Sequence, residues 1–342
     1  MGIAQNLLGS GDWGMFGLSI LFVVGLVFII KGGDFFVDAA TWMAEVSGIP
    51  QFIIGATIVS VATTLPELIV SLIGAKNGSF EIAIGNAVGS VTANTGLIMA
   101  ISIICMPGII KRSQYAFKSI LLMVATAILY GASFLFGEKF SVIGSILLVI
   151  IFIIATAESI KTGKAESGES EKVEFKKKDL PVNIVKFLVG AAGIAVGADF
   201  LVDSATGIAT KLGVSEAIIA ATIVAVGTSL PELVTTITAV IKKQSDLSVG
   251  NIIGANLIDI ALILPVCSLV SGGNLSAVPQ NLWIDIPVCL GIAVIALVPM
   301  LIRKKFSRGQ GIVMLACYIA YVVVISFVVR SWPAFPLTGI LG

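Results

Sequence analysis

Ala62-Thr63-Thr64-Leu65-Pro66-Glu67 and Gly227-Thr228-Ser229-Leu230-Pro231-Glu232 are two copies of one pattern, each set in an apolar run long enough to cross a bilayer. An acid at the centre of a spanning helix costs about 2.5 to 3.5 kcal/mol on insertion scales and marks function by default. Each glutamate directly follows a proline, which has no N–H to give and frees carbonyls one turn back. Every copy therefore gathers a carboxylate, hydroxyls and unpaired backbone oxygens, a set of hard ligands for a metal cation. A kinked helix whose acid snorkels to the interface would explain one copy. Two equivalent penalties without compensation argue against it.

Working outward, residues 33–67 lie over residues 198–232 without a gap, with identities at about 19 of 35 positions. The register continues into Gly85-Asn86-Ala87-Val88-Gly89-Ser90 over Gly250-Asn251-Ile252-Ile253-Gly254-Ala255, and it sets Asn94 opposite Asp259. The chain is 57% hydrophobic and only 12% charged, which makes it an integral membrane protein rather than a soluble one. Apolar runs at 14–30, 119–135, 141–155 with its flanks, 183–196, 284–302 and 311–329, added to the segments around both repeats, predict about ten spans of roughly 20 residues. The predicted fold is an all-α membrane protein of ten transmembrane helices with Pro-broken core helices.

A polar stretch alternating Lys with Glu divides the chain, giving a first transmembrane repeat over 1–160, a linker over 161–181 and a second repeat over 182–342. The linker has too little apolar surface to fold alone and no Asp-x-Asp-x-Asp-Gly calcium loop. About five spans before it, an odd number, place the second half in the membrane upside down. Inverted repeats of this kind hold their substrates at the midplane on interrupted helices.

A net charge of +1 gives no reason to expect nucleic acid as a partner. The basic residues sort instead by topology: about 17 fall on one side of the predicted spans and Lys76, Lys139, Lys211 and Arg330 on the other. The positive-inside rule puts the larger group in the cytoplasm, so both termini are predicted outside a cell (plasma) membrane. Cys105, Cys267, Cys289 and Cys317 show no spacing for disulfides or zinc and read as buried small hydrophobes. The N-terminus carries neither a basic signal region nor an acylation pattern.

Calcium takes six to eight oxygens in a flexible cage, and two glutamates both neutralise a divalent ion and supply up to four of them. Glu67 and Glu232 fit that role, with the carbonyls near Thr63 and Thr228 completing the shell without adding charge. Thr64, Ser229 and Ser90 offer neutral hydroxyls suited to sodium. In the Gly-Asn segments, Gly85, Gly89, Gly250 and Gly254 allow helices to approach closely, while Asn86, Asn251, Asn94 and Asp259 direct polar groups toward the acids. Asn256 has no counterpart, because Val91 holds its place in the first half. The matched Asp34, Asp38, Asp199 and Asp203 lie near span ends, where interfacial structure is the expectation.

These paired segments resemble the two alpha repeats of the cation/calcium antiporter superfamily, most closely its prokaryotic sodium/calcium exchangers, and the resemblance covers nearly the whole chain. It implies ten transmembrane helices in two inverted sets of five around a core of helices 2, 3, 7 and 8. It also implies that Glu67 and Glu232 bind calcium with the carbonyls of Thr63 and Thr228. The hydroxyls of Thr64, Ser229 and Ser90 and the carbonyls of Ser60 and Ala225 would match sodium ligands, with Asn94 and Asp259 as the polar pair opposite the glutamates. Transported Ca2+ and Na+ are then the only ions required, with no cofactor, no enzymatic activity, no nucleic acid and no obligate protein partner. Three positions depart from the pattern: Ala255 stands where serine is common, Thr64 replaces serine and Ala62 replaces glycine.

The chain contains no histidine, whereas proton-coupled members typically carry histidines near the path and glutamates in the Gly-Asn segments. Sodium coupling is therefore the expectation, and a proton-coupled calcium antiporter the alternative. A cation channel would need a ring of equivalent acids, which two copies in one chain suit less well than a closed midplane site. Without histidine there is no Ser-His dyad for an intramembrane hydrolase.

Overall fold

The structure, a computed structural model, describes residues 14–78, 80–107, 112–135, 140, 142–166, 179–212, 227, 229–273 and 275–327. Thr228 and Ala225 lie outside the described residues. Helix α1, Met15–Ser47, ends at Gly48, whose φ of 68° is the left-handed cap that glycine adopts without strain. Pro50 then caps the start of the next helix, its carbonyl accepting from Ile53 N–H at 2.9 Å and Ile54 N–H at 3.2 Å. Helices α2, Gln51–Thr63, and α3, Leu65–Lys76, form one span broken by a bend of 47°. Helix α4 runs through Phe80–Ala93, a π-helical turn at Asn94–Met99 and a last segment, Ala100–Cys105.

Helices α5, Arg112–Leu135, and α6, Val142–Glu166, complete the first half, and α7, Asp179–Lys211, opens the second. It continues with α8, Leu230–Ile241, and with α9, which comprises Ser245–Ile258, a π-helical turn at Asp259–Ile263 and Leu264–Val270. Helices α10, Asn281–Arg303, and α11, Arg308–Ile325, follow. Among the described residues eight helices are long and apolar enough to cross a membrane, and the bent α2–α3 pair makes up to nine spans. The predicted ten are not reached, because α8 has only 12 residues and the segment that would match α2 falls largely outside the described residues.

The sequence duplication is also a structural one. Helices α3 and α8 start at equivalent positions, at Thr64 (φ −85°, ψ 2°) and Ser229 (φ −88°, ψ 8°), with proline in each first turn. Helices α4 and α9 both open with 14 helical residues and widen into a π-turn, at the equivalent positions Asn94 and Asp259. Helices α1 and α7 are equivalent too, and they run antiparallel. Phe36 stacks on Phe187 with ring centroids 4.6 Å apart, Phe28 meets Phe200 at 6.1 Å, and a side chain at Gly207 would meet Leu18. Equivalent helices pointing in opposite directions make the two halves inverted repeats.

Burial separates a core from a periphery. In the spanning windows, 72% of α4 and 83% of α9 is buried, against 28% of α1 and 22% of α7. Small residues bring the core helices together. A Cβ at Gly250 would strike the carbonyl oxygen of Phe52, and one at Gly254 would lie 2.7 Å from both the Cα and the carbonyl oxygen of Ala56. Helix α2 therefore lies along α9 almost backbone to backbone, across the boundary between the halves.

Polar contacts tie the surrounding helices down. Lys118 on α5 is buried 3.5 Å from Glu158 on α6, with its ammonium 4.7 Å from the Phe52 ring centroid. The Tyr115 hydroxyl donates to Asp246 at 2.8 Å, and Asp285 on α10 accepts from Tyr321 on α11 at 3.0 Å. Cys267 and Cys289 are buried and Cys317 partly so, but Cys105 is exposed. That corrects the expectation of four buried cysteines: Cys105 is the last residue of α4, where the apolar run leaves the core.

Asp34 and Asp38 on α1 meet Lys242, just past the end of α8, at 3.3 Å and 2.7 Å. All three side chains are at least a quarter exposed, so the cluster contributes about 0.2 to 1 kcal/mol per pair at most. Lys242→Met is expected to leave the thermal midpoint in detergent nearly unchanged. A drop typical of a core substitution would show instead that the cluster anchors α1 to α8.

Candidate functional site

The proline at the start of α3 produces a local break. The helical ladder gives Thr64 N–H to the Ser60 carbonyl and Leu68 N–H to the Thr64 carbonyl, each at 3.0 Å. The carbonyls of Ala62 and Thr63 lie at the break, and Pro66 has no N–H to offer the first of them. Glu67 then sits in the first turn of α3 and Glu232 at the equivalent place in α8, where the positive end of a helix favours a negative charge.

Glu67, Glu232 and Asp259 are all fully buried. Among the described residues none of their six carboxylate oxygens has a hydrogen-bond partner. The hydroxyls of Ser90 and Ser229 and the amide oxygen of Asn94 are buried and unpartnered in the same way. Glu67 lies within electrostatic reach of both Glu232 and Asp259. Taking a carboxylate out of water costs several kcal/mol even after relaxation, so acids held this way call for neutralisation by cations or protons.

The site draws on both halves. The Thr63 hydroxyl on α2 lies 3.2 Å from Asn251 Oδ1 on α9 and 3.3 Å from the Ser60 carbonyl, either of which can accept its proton. The same hydroxyl is near Glu232. Asn94 on α4 donates to Asn256 on α9 at 3.1 Å. Asn86 donates to the Glu67 carbonyl at 3.2 Å and to Ser71 at 2.9 Å, fixing α4 against α3. Its equivalent Asn251 is turned toward Thr63 and leaves its Nδ2 unpartnered among the described residues.

Of the predicted sodium ligands, Thr64 is buried and donates to the Ser60 carbonyl at 2.8 Å. That carbonyl also accepts the Thr64 N–H, so in this arrangement Ser60 can serve an ion only if the Thr64 hydroxyl turns away. Ala255 is fully buried beside Gly254 and has no hydroxyl to offer opposite Ser90. Thr228 and Ala225 are not among the described residues. Within those residues no group of three or more acidic or cysteine side chains is gathered tightly enough to hold a metal ion. Any cage must therefore include hydroxyl, amide and carbonyl oxygens along with the acids.

Four polar residues of this region were not predicted. Ser71 and Thr236 are fully buried one turn beyond the two glutamates, and a matched hydroxyl at that spacing in both repeats was a usable signal. Thr95 and Asn256, joined by a 2.8 Å hydrogen bond, break the repeat symmetry: Thr95 gave no signal, and Asn256 stood out only as a polar residue without a counterpart.

A broken helix in the first half, and buried acids in the first turns of equivalent helices of two inverted halves, fit a secondary transporter for cations. The chain belongs to the sodium/calcium exchanger protein family, whose sequence profile matches residues 17–161 and 182–327. It is 34% identical over 301 residues to the uncharacterized membrane protein MJ0091 of Methanocaldococcus jannaschii, covering 87% of this chain and 94% of that one. With the sodium/calcium exchanger MaX1 of Methanosarcina acetivorans it shares 29% identity over 351 residues, covering 90% and 98%. Its fold is similar to the solved structure of the sodium-calcium exchanger NCX_Mj soaked with Na+ and Sr2+, with a TM-score of 0.77 at 30% identity, over 91% of this chain and 99% of that one.

Proposed function

We propose that this protein is a secondary antiporter that exchanges calcium for sodium across the plasma membrane. The observation that carries the reading is the pair Glu67 and Glu232, fully buried in the first turns of equivalent helices, with carboxylate oxygens that accept no hydrogen bond within normal geometric limits among the described residues. The relatives MaX1 and NCX_Mj, both named as sodium/calcium exchangers, support it. Two carboxylates balance a divalent ion, and the carbonyls of Thr63 and Thr228 add neutral oxygens at the breaks. Sodium uses the same two acids from other directions, with the hydroxyls of Thr64, Ser90 and Ser229 and the carbonyls of Ser60 and Ala225. Asn94, Asp259, Asn86 and Asn251 support the cage.

Shared carboxylates make occupancy by the two ions mutually exclusive, which enforces exchange. The lipid-facing pair α1 and α7 shifts past the core only when the cage is filled, opening it to alternate sides. Residues 1–160 and 182–342 form the two halves, residues 161–181 link them in the cytoplasm, and both termini lie outside. If three sodium ions move against one calcium, one net charge crosses per cycle, worth about 2.3 kcal/mol per 100 mV, and normal membrane polarity favours calcium extrusion.

A proton-coupled antiporter is the second reading, favoured by the three buried acids, which protons could also neutralise. Uptake of radioactive calcium into proteoliposomes separates the two. An outward sodium gradient is expected to drive uptake and an equal proton gradient is not. Uptake on the proton gradient alone would reassign the acids as proton carriers.

A further inference from the structure

Asn94 and Asp259 occupy equivalent positions at the start of equivalent π-turns, but they are not equivalent ligands. A carboxylate has two alike oxygens, so Asp259 presents an acceptor whichever way its group is turned. An amide has one oxygen and one nitrogen, and presents an acceptor in only one of two orientations. With its nitrogen turned inward, Asn94 would set N–H donors against a cation.

The structure supplies what selects between the two. Asn94 Nδ2 donates to Asn256 Oδ1 at 3.1 Å, and Asn256 Nδ2 donates to Thr95 Oγ1 at 2.8 Å. All three side chains are at most 2% exposed, so water does not compete for these bonds. The Thr95 hydroxyl oxygen is the acceptor of the Asn256 amide nitrogen, which fixes the way the Asn256 amide faces. Asn256 must then turn its oxygen to Asn94, and Asn94 must turn its oxygen away. That oxygen is buried without a partner among the described residues, as are the carboxylates of Glu67, Glu232 and Asp259. Only the half that faces an amide carries this device, since the place of Asn256 in the first repeat is held by Val91.

We propose that Asn256, held by Thr95, is a positioning residue that locks the Asn94 amide so that its oxygen serves the transported cation. The inference rests on the calcium-exchange reading and adds to it the source of a neutral ligand. It makes the pair Asn94 and Asp259 work as two acceptors with one charge between them, and it places the residue that orients the Asn94 amide on the opposite half.

The test is the KM and Vmax of sodium-driven calcium uptake by the full chain in proteoliposomes, read in a double-mutant cycle. Asn256→Val is expected to raise KM for calcium about tenfold, as the loss of a buried polar partner does, with Vmax changed much less. In an Asn94→Asp background, where orientation no longer matters, the same substitution is expected to change KM less than about twofold, because coupled residues are non-additive. Equal effects in both backgrounds, or a wild-type KM in Asn256→Val, would overturn the proposal. Should Asn256→Val not fold, the near-isosteric Thr95→Val is read instead. It is expected to raise KM, with Thr95→Ser restoring it, and a wild-type KM in Thr95→Val would also overturn the proposal. The wild-type arm keeps the two ideas apart. No sodium-driven uptake there removes the exchange reading and this inference with it, whereas normal wild-type uptake with indifferent variants removes this inference alone.

Discussion

Glu67→Gln is expected to abolish calcium uptake while leaving a folded, extractable protein, and Glu232→Gln to do the same. Each glutamate is fully buried and, in the proposed cage, supplies half of the charge that balances a divalent ion. Removing one partner from a buried ionic contact costs about 3 to 5 kcal/mol, or roughly 10²- to 10⁴-fold in occupancy. The ion-free protein responds in the opposite sense, because a buried charge with no protein partner is replaced by a neutral amide of the same shape. In detergent the variants are expected to match or exceed the wild-type thermal midpoint without calcium and to lose the rise that calcium gives the wild type. Wild-type uptake in either variant would remove that carboxylate from the mechanism.

Gly254→Val has the second largest expected effect, for a reason unconnected with charge. A first side-chain carbon at this position would lie 2.7 Å from two backbone atoms of Ala56 and 2.6 Å from Ser60 Oγ. The serine can rotate, but the backbone of α2 cannot withdraw without moving the whole helix. Overpacking of this kind costs about 1 to 3 kcal/mol, and here the displaced helix carries Thr63 and Thr64 into the break beside Glu67. Calcium uptake is expected to fall at least as far as expression, with a lowered thermal midpoint. Gly89→Val serves as the comparison, since no described atom lies within 4 Å of a Cβ there. Equal tolerance at the two positions would show that α2 and α9 need not touch.

The sequence revealed the breaks and the acids because proline and glutamate in an apolar run each break a strong physical rule, and each did so twice. It did not reveal the π-turns at Asn94 and Asp259, which leave no compositional trace because the same residues could continue an ordinary helix. Nor did it reveal the partners of the aspartates near the span ends. The pairing of Asp34 and Asp38 with Lys242 depends on how α1 lies against α8, a matter of tertiary contact. The repeat made matched residues legible and gave unmatched ones no role, which is why Asn256 stood out only as an unpaired polar residue while its bonds to Asn94 and Thr95, like the Asp285–Tyr321 contact, came from the structure. The direction of the Asn86 amide likewise needed Ser71 in view before it could be assigned.

The crossing of α1 and α7 has a symmetry of its own. At an offset of 165 residues, the spacing from Glu67 to Glu232, Gly25 corresponds to Gly190 and Gly32 to Gly197. Across the interface a side chain on Gly25 would meet Gly197, and one on Gly32 would meet Gly190. Residue i of one half thus touches the counterpart of j, and residue j touches the counterpart of i, the arrangement of an isologous homodimer contact. This surface is self-complementary, so a single half inserted in both orientations already carries the contact that joins the two. Duplication and fusion of such a half would preserve it, with the covalent link serving only to fix the ratio of the two orientations at one to one.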